Sequence, residues 1–469
     1  MNLHLVLLVG YSFALVAMGL WMSRAVRGSA DFFVAGRKLS ASLLFSTVLA
    51  ANIGAGTTIG AAGVGYRDGI SAWWWNGSAA IGSLVLALFV GPRIWKIAAT
   101  HNLYTVGDYL ELRYGRAVRG VISVLIWFGT LSILAGQLIG GSAILTSVAG
   151  IPREAGIIAS ALVMTSYFVA GGLLSSAWVN MVQLGVLVVG FLVAVPMVLA
   201  NAGGVSGVTS AAALPGTFDS ILYSGGARSG WTFLFLLAPS FVISPGLLQK
   251  AYGGVSAGAV RRGIGLQAVA QALFGFLPVL LGMSARVLHP GITDANMVLP
   301  TVLIEQLPTA FSALALAAVF SAEVSTCDAI LFMLSTSLSQ DLYRRFIRPD
   351  STDAQLLRVA RFAAVAGAVG GVLLALRLPT VTAALGIFYS LIGATLFVPV
   401  LGGLYIRRAA TPEAMSAVIA GGGVALAVIF LPHRSAWWLD PAVAGLAAAV
   451  LAFLAALILR RPAMDAGVR

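Results

Sequence analysis

The chain has 469 residues, 59% of them hydrophobic and only 9% charged, with a formal net charge of +12. A soluble domain carries roughly 25% charged residues, so this composition excludes a water-soluble globular protein and makes the bilayer the solvent. The basic excess does not point to nucleic acid, because Lys and Arg sit in short connections between apolar runs and form no contiguous basic face.

Apolar runs of about 20 residues suffice to cross a hydrocarbon core of ~30 Å. In chain order the sequence predicts thirteen spans, near 3–22, 40–65, 72–92, 117–149, 155–173, 177–200, 231–249, 263–287, 308–339, 357–376, 380–405, 411–431 and 439–459. The first run lacks a basic leader region and a small-residue cleavage site, and reads as a retained span. Cys327 is the sole cysteine, so no intrachain disulfide forms. With the N-terminus outside, the Lys and Arg residues divide roughly 22 inside to 6 outside, and the positive-inside rule selects that topology, with the C-terminus in the cytoplasm. Lys250 counts there as cytoplasmic. The longest outer connection, 201–230, has room for a short surface helix, and no soluble domain is appended. Arg outnumbers Lys and Ala and Gly abound, as in a GC-rich bacterial genome, so the expected location is a bacterial inner membrane.

Two spans carry breakers. The second contains Leu49, Ala50, Ala51, Asn52, Ile53, Gly54, Ala55, Gly56, Thr57 and Thr58; the seventh contains Pro239, Ser240, Phe241, Val242, Ile243, Ser244, Pro245 and Gly246. Glycine loses most on entering a helix, and proline removes a backbone donor. Backbone freed in this way at membrane depth needs a polar partner. The two interrupted spans are five apart, each opening a set of five. That is the layout of an inverted repeat with its site between the broken helices.

Several stretches, in order, resemble the sodium/solute symporter family over nearly the whole chain. They are FFVAGRKL (32–39), AANI (50–53), Gly65, Tyr66 and Gly69, and TVGDYLELRYG (105–115). Then come Tyr167, Gly171, Gly172, Leu173, Trp178 and Gln183, Gln249 and Lys250 where relatives have Gln-Arg, STCD (325–328), DLY (341–343) and GGLYIRR (402–408). The resemblance implies an all-α polytopic membrane protein of the leucine-transporter type. Its five-plus-five core would comprise a first repeat over 40–200 and a second over 231–405. One extra helix precedes it (3–22) and two follow (411–460), all in a single transporter domain.

It also implies Na⁺-coupled symport of a small organic solute into the cell. The break after Ala50 frees main-chain carbonyls, notably those of Ala50 and Ile53. Ala322, Ser325 and Thr326, spaced i, i+3 and i+4, share one helix face. In the family the matching positions hold sodium. Glu323 and Asp328 are acids inside an apolar run, where a charge costs ~3 kcal/mol. With Asn180, which stands where many relatives have Asp, they form a candidate second cation or proton site. Substrate candidates are Asn52, Gly56, Thr57, Gln137, Ser244, Gln249 and Tyr389. Trp73, Trp74 and Trp75 read as interfacial anchors that could also line the way in.

Gly56 and Thr57 replace the acid and amide of sugar-carrying relatives, and the aromatic cage of choline carriers is missing at Asn52 and beside Pro245. A small amino acid, a monocarboxylate or another compact solute remains, and the absence of an evident mid-membrane Lys or Arg disfavours a multiply charged anion. Proton coupling through Glu323 or Asp328, or a non-transporting solute sensor, are the alternatives. Partners are the solute and the lipid bilayer, with no obligate protein partner evident. No HExxH pair occurs, and His4, His101, His289 and His433 lie in loops or at span ends, so no enzyme is expected.

Overall fold

A computed structural model of the protein describes residues 3–23, 35–170, 173–210, 217–223, 229–431 and 436–460. Residues 32–34, 171 and 172 of the family stretches lie outside the described residues, as do the side chains of Tyr167 and Trp178.

The first helix is α1 (Leu3–Ser23). The first broken span follows as α2 (Ala41–Asn52), then, past the break, a wide turn (Gly56–Gly60) leading into α3 (Ala61–Asp68). Next come α4 (Trp73–Val85), α5 (Gly91–His101), the short α6 (Val106–Tyr114), α7 (Arg116–Ala149), α8 (Arg153–Ala170) and α9 (Leu173–Asn201). A short helix, α10 (Gly204–Ser210), occupies the connection where the sequence left room for one. The second broken span is α11 (Phe233–Val242) and α12 (Pro245–Tyr252). The remaining elements are α13 (Ala257–Phe274), α14 (Phe276–Leu288), α15 (Val298–Gln306), α16 (Thr309–Thr336), α17 (Asp353–Ala375), α18 (Val381–Tyr405), α19 (Thr411–Ile429) and α20 (Pro441–Leu459). Among the described residues β-structure is confined to one isolated bridge, Leu39 to Gly254.

Ten helical stretches among the described residues are long and apolar enough to cross a membrane, with Leu3–Ala14 and Ala41–Asn52 as shorter apolar helices. Large apolar side chains such as Phe128, Leu162, Leu192, Leu273, Phe362 and Ile458 face outward. Such an apolar surface suits lipid. Helix α16 is the centre of the bundle, 89% buried over its most apolar window, and packs against α2, α7 and α9.

Helix starts follow local chemistry. Ser40 caps α2 by accepting from the Leu43 amide. Thr105 and Asp108 form a reciprocal capping box on α6. Pro245 opens α12 at a position whose amide would have no helical partner.

Near the start of α7 and in the turns that follow α16, Arg119 is buried and meets Asp108, Glu111 and Asp341, each at 2.8 Å. Thr105 donates to Asp341, and Arg345 pairs with Glu111. Burial alone would raise the Glu111 carboxyl, but hydrogen bonds from Arg119 and Arg345 outweigh it and hold the group below the usual carboxylate range.

Candidate substrate and cation site

The first break is an unwound segment whose freed groups find partners elsewhere. Ile53 is extended (φ −96°, ψ 95°), ending α2. The helical partner of the Ala50 carbonyl would be the Gly54 amide, which turns instead to Thr57 Oγ1 at 3.4 Å. Thr57 Oγ1 donates to the Asn52 carbonyl at 2.6 Å, and the Ala55 amide donates to Gln137 Oε1 of α7 at 2.9 Å.

The freed Ala50 carbonyl points at α16. Ser325 Oγ lies 2.9 Å from both the Ala50 and Ala322 carbonyl oxygens, and Thr326 Oγ1 donates to Ala50 at 3.1 Å. All four residues are buried. Gly54 lets the two segments approach: a Cβ there would lie 2.5 Å from Thr326 Oγ1 and 2.6 Å from Gln137 Oε1. Four of the five expected sodium residues thus share one oxygen cluster, and Ile53 sits at the break beside them. A cation of this size holds oxygens at roughly 2.3–2.6 Å. Neutral carbonyls and rotatable hydroxyls suit a monovalent ion, because each hydroxyl can turn its hydrogen away and offer a lone pair.

The second break is made by proline. Ile243 (φ −123°, ψ 14°) and Ser244 (φ −50°, ψ 122°) separate α11 from α12. Ser240 donates to the Tyr389 carbonyl at 2.7 Å, which ties α11 to α18.

Between the breaks lies a cavity. Its lining includes Asn52, Gly56, Thr57, Gln137, Ser244 and Tyr389, six of the seven expected substrate residues. Gln249 is not among them. It lines a smaller neighbouring cavity with Thr105, Pro245, Thr336 and Asp341, where its amide nitrogen is buried with no hydrogen-bond partner among the described residues. Met333 borders both cavities and would lie 2.8 Å, through its sulfur, from a Cβ on Gly246.

Two aromatic lining groups were not expected. Phe241 and Phe388 each stand 5.4 Å, centroid to centroid, from Tyr389 and form an aromatic wall with it, and Trp75 lies behind at 6.3 Å from Tyr389. Trp75 is buried, while Trp73 and Trp74 donate to the carbonyls of Ala272 and Ile221. Trp75 is therefore packed into the protein, and Trp73 and Trp74 are half-buried beside it. Asn52 donates to Gln271 Oε1 at 3.1 Å and Ser83 Oγ at 3.4 Å, and Gln267 donates to Gln271 at 2.6 Å.

Lys250 corrects the sequence reading most. It is 2% exposed rather than in a cytoplasmic loop, and it lines the central cavity. The chain after α12 doubles back through Gly253 and Gly254 to bond Leu39, so the lysine stem turns into the bundle. The argument against a multiply charged anion from a missing buried cation therefore falls. Asn180, on α9, donates to Thr47 Oγ1 at 3.3 Å. Asp328 is buried on α16. Glu323 is fully buried, both carboxyl oxygens without a hydrogen-bond partner among the described residues, beside Gly140.

The model of the sodium:solute symporter family matches residues 32–421. The chain belongs to this family. It is 26% identical to the sodium/glucose cotransporter of Vibrio parahaemolyticus, over 90% of this chain and 84% of that one. It is 28% identical to the sodium/pantothenate symporter of Escherichia coli K12, over 90% and 89%. A Na⁺-coupled sialic acid symporter, solved substrate-bound and outward-open, superposes with a TM-score of 0.82 at 20% identity, covering 97% of each chain. The fold is that of the leucine-transporter-like carriers. The family member described here is a multi-pass membrane transporter and not an enzyme, and its family implies sodium coupling and a small-molecule solute.

Proposed function

We propose that this symporter binds one sodium ion at the carbonyls of Ala50, Ile53 and Ala322 and the hydroxyls of Ser325 and Thr326. With it the protein carries a compact organic solute, an amino acid or a monocarboxylate, into the cell by alternating access. The observation that carries the reading is the Ala50 carbonyl, released by the break and met by both α16 hydroxyls at 2.9 and 3.1 Å. The solute lies against Asn52, Gly56, Thr57, Gln137, Ser244 and Tyr389, and passes Gln249 on its way to the cytoplasm. Supporting this reading, the half-helix starting at Pro245 turns its positive end toward the cavity, as suits a carboxylate. The architecture we propose has thirteen spans: 3–22, a first repeat over 40–200, a second over 231–405, and two further helices over 411–460. It sits in a bacterial inner membrane, N-terminus out and C-terminus in, supported by the distribution of Lys and Arg.

The test is the thermal stability of the purified protein in choline buffer as Na⁺ is titrated in. A saturable Na⁺-specific rise, absent in Ser325→Ala/Thr326→Ala, is expected, because a ligand of the folded state stabilises by mass action. The same buffer then screens amino acids, monocarboxylates and sugars. If K⁺ does all that Na⁺ does and uptake in vesicles follows pH alone, proton coupling through Glu323 or Asp328 replaces this reading.

A further inference from the structure

Asn52 is the last residue of α2, at the lip of the first break, and it lines the central cavity. Its side chain is held from behind. Nδ2 donates to Gln271 Oε1 of α13 at 3.1 Å and to Ser83 Oγ of α4 at 3.4 Å. Gln267 Nε2, one turn before Gln271, donates to the same Oε1 at 2.6 Å. Ser83, Gln267 and Gln271 are buried. Both amide hydrogens of Asn52 are thus spent away from the cavity. The atom left to the cavity is Oδ1, an acceptor with no hydrogen-bond partner among the described residues.

The relay has a favoured direction. Among the described residues, the relay atom that is buried and unmet is Gln267 Oε1. Reversing all three carboxamides would put an N–H in its place, and a buried orphan N–H is rarer in folded proteins than an under-satisfied C=O. Gln137, on α7, shows the opposite polarity. Its Oε1 is held by the Ala55 amide, which can only donate, so the donor Nε2 is the end left free. The central cavity therefore offers donors at Gln137 and at the start of α12, and an acceptor at Asn52. A bare carboxylate satisfies the donors alone. Once water is expelled, it leaves the Asn52 oxygen without a donor, a cost of about 1–3 kcal/mol for a stranded buried group.

We propose that Gln271 is a positioning residue that sets specificity: it fixes Asn52 as an acceptor, so the solute is a compact carboxylate that also carries an N–H or O–H donor. An amino acid or a hydroxy acid fits, and a plain monocarboxylate does not. The carboxylate rests on the reading proposed above; the demand for a donor rests on the relay.

The experiment measures melting shifts and proteoliposome uptake, in sodium, for two solute sets on the purified full-length protein. One set is alanine, lactate and propionate; the other is phenylalanine, phenyllactate and phenylpropionate. Within each set only the amino or hydroxyl donor changes. The better donor-bearing member is expected to bind at least about tenfold tighter than the member without one. Gln271→Met, which lets the Asn52 amide turn, should shrink that ratio to within about threefold, with the stabilisation by sodium alone unchanged. Gln271→Glu, whose carboxyl still accepts from both amides, should keep the ratio. Equal binding of all members of a set overturns the proposal and leaves the carboxylate reading standing. Binding of none of the six overturns the carboxylate reading and the proposal with it. A Gln271→Met protein that melts lower yet keeps the wild-type ratio shows a merely structural glutamine and overturns its role. Were Gln271→Met to aggregate, the wild-type ratios and Gln271→Glu decide.

Discussion

The two broken spans reach similar interruptions by opposite chemistry. The first is made by glycine, which keeps every amide and carbonyl, and several freed groups near it recruit partners: Ser325 and Thr326 for Ala50, Thr57 for Asn52, Gln137 for Ala55. The second is made by Pro245, which has no amide to satisfy, and Ser240 of the preceding half-helix reaches across to α18. The contrast teaches that a break rich in unspent carbonyls suits an ion, whereas one that has shed its donor suits a hinge or a solute face. Conserving backbone polarity at depth is expensive unless something polar arrives to use it.

The largest effect that would break this comparison is at Gly54. Gly54→Ala places a methyl 2.5 Å from Thr326 Oγ1, and we expect a loss of Na⁺ affinity of roughly 100-fold, about 2.8 kcal/mol. Sodium-titrated melting reads it, and wild-type affinity in this variant would remove close approach as the reason for glycine. Next comes Gln137→Leu, which strands the buried Ala55 amide at a cost of about 1–3 kcal/mol. Its melting temperature should fall with or without sodium, and an unchanged melt would mean the amide has another partner.

Pro245→Ala sharpens the contrast from the other side: uptake should slow roughly 10-fold, about 1.4 kcal/mol, while Na⁺ affinity stays within about twofold, about 0.4 kcal/mol. A matching fall in sodium affinity would mean the second break also feeds the ion site. The smallest effect lies away from both breaks, at Glu111. Its folded carboxyl is held below the unfolded value near 4.5, so its stabilisation is complete above that value and is lost as pH falls through the lower folded one. Glu111→Gln should flatten the acid limb of a stability profile by up to about 1 kcal/mol. An unaltered acid limb would show that the pair with Arg119 contributes nothing.

What could be read from sequence were features with a local signal. Glycine and proline runs marked both breaks, and the spacing of Ala322, Ser325 and Thr326 placed them on one face. Adjacent residues at a helix end could not be resolved. Gln249 and Lys250 point about 100° apart, one into the smaller cavity and one to Thr47, yet a loop-charge count treats the lysine as cytoplasmic. The amide relay from Asn52 to Gln271 was equally hidden, since it joins positions 219 residues apart and follows no helical period. The aromatic wall had a faint cue in Phe388 preceding Tyr389, but Phe241 reaches it only through the fold.

A lysine such as Lys250, tethered to Thr47 inside the bundle, rides back with the empty carrier and adds nothing to the current of a completed cycle. If one sodium crosses per turn, a potential of about 100 mV supplies about 2.3 kcal/mol, enough to concentrate a neutral solute about 45-fold before any sodium gradient is counted. Two ions would give about 2,000-fold. The number of sodium ions carried per turn thus sets how steep a solute gradient such a carrier can hold.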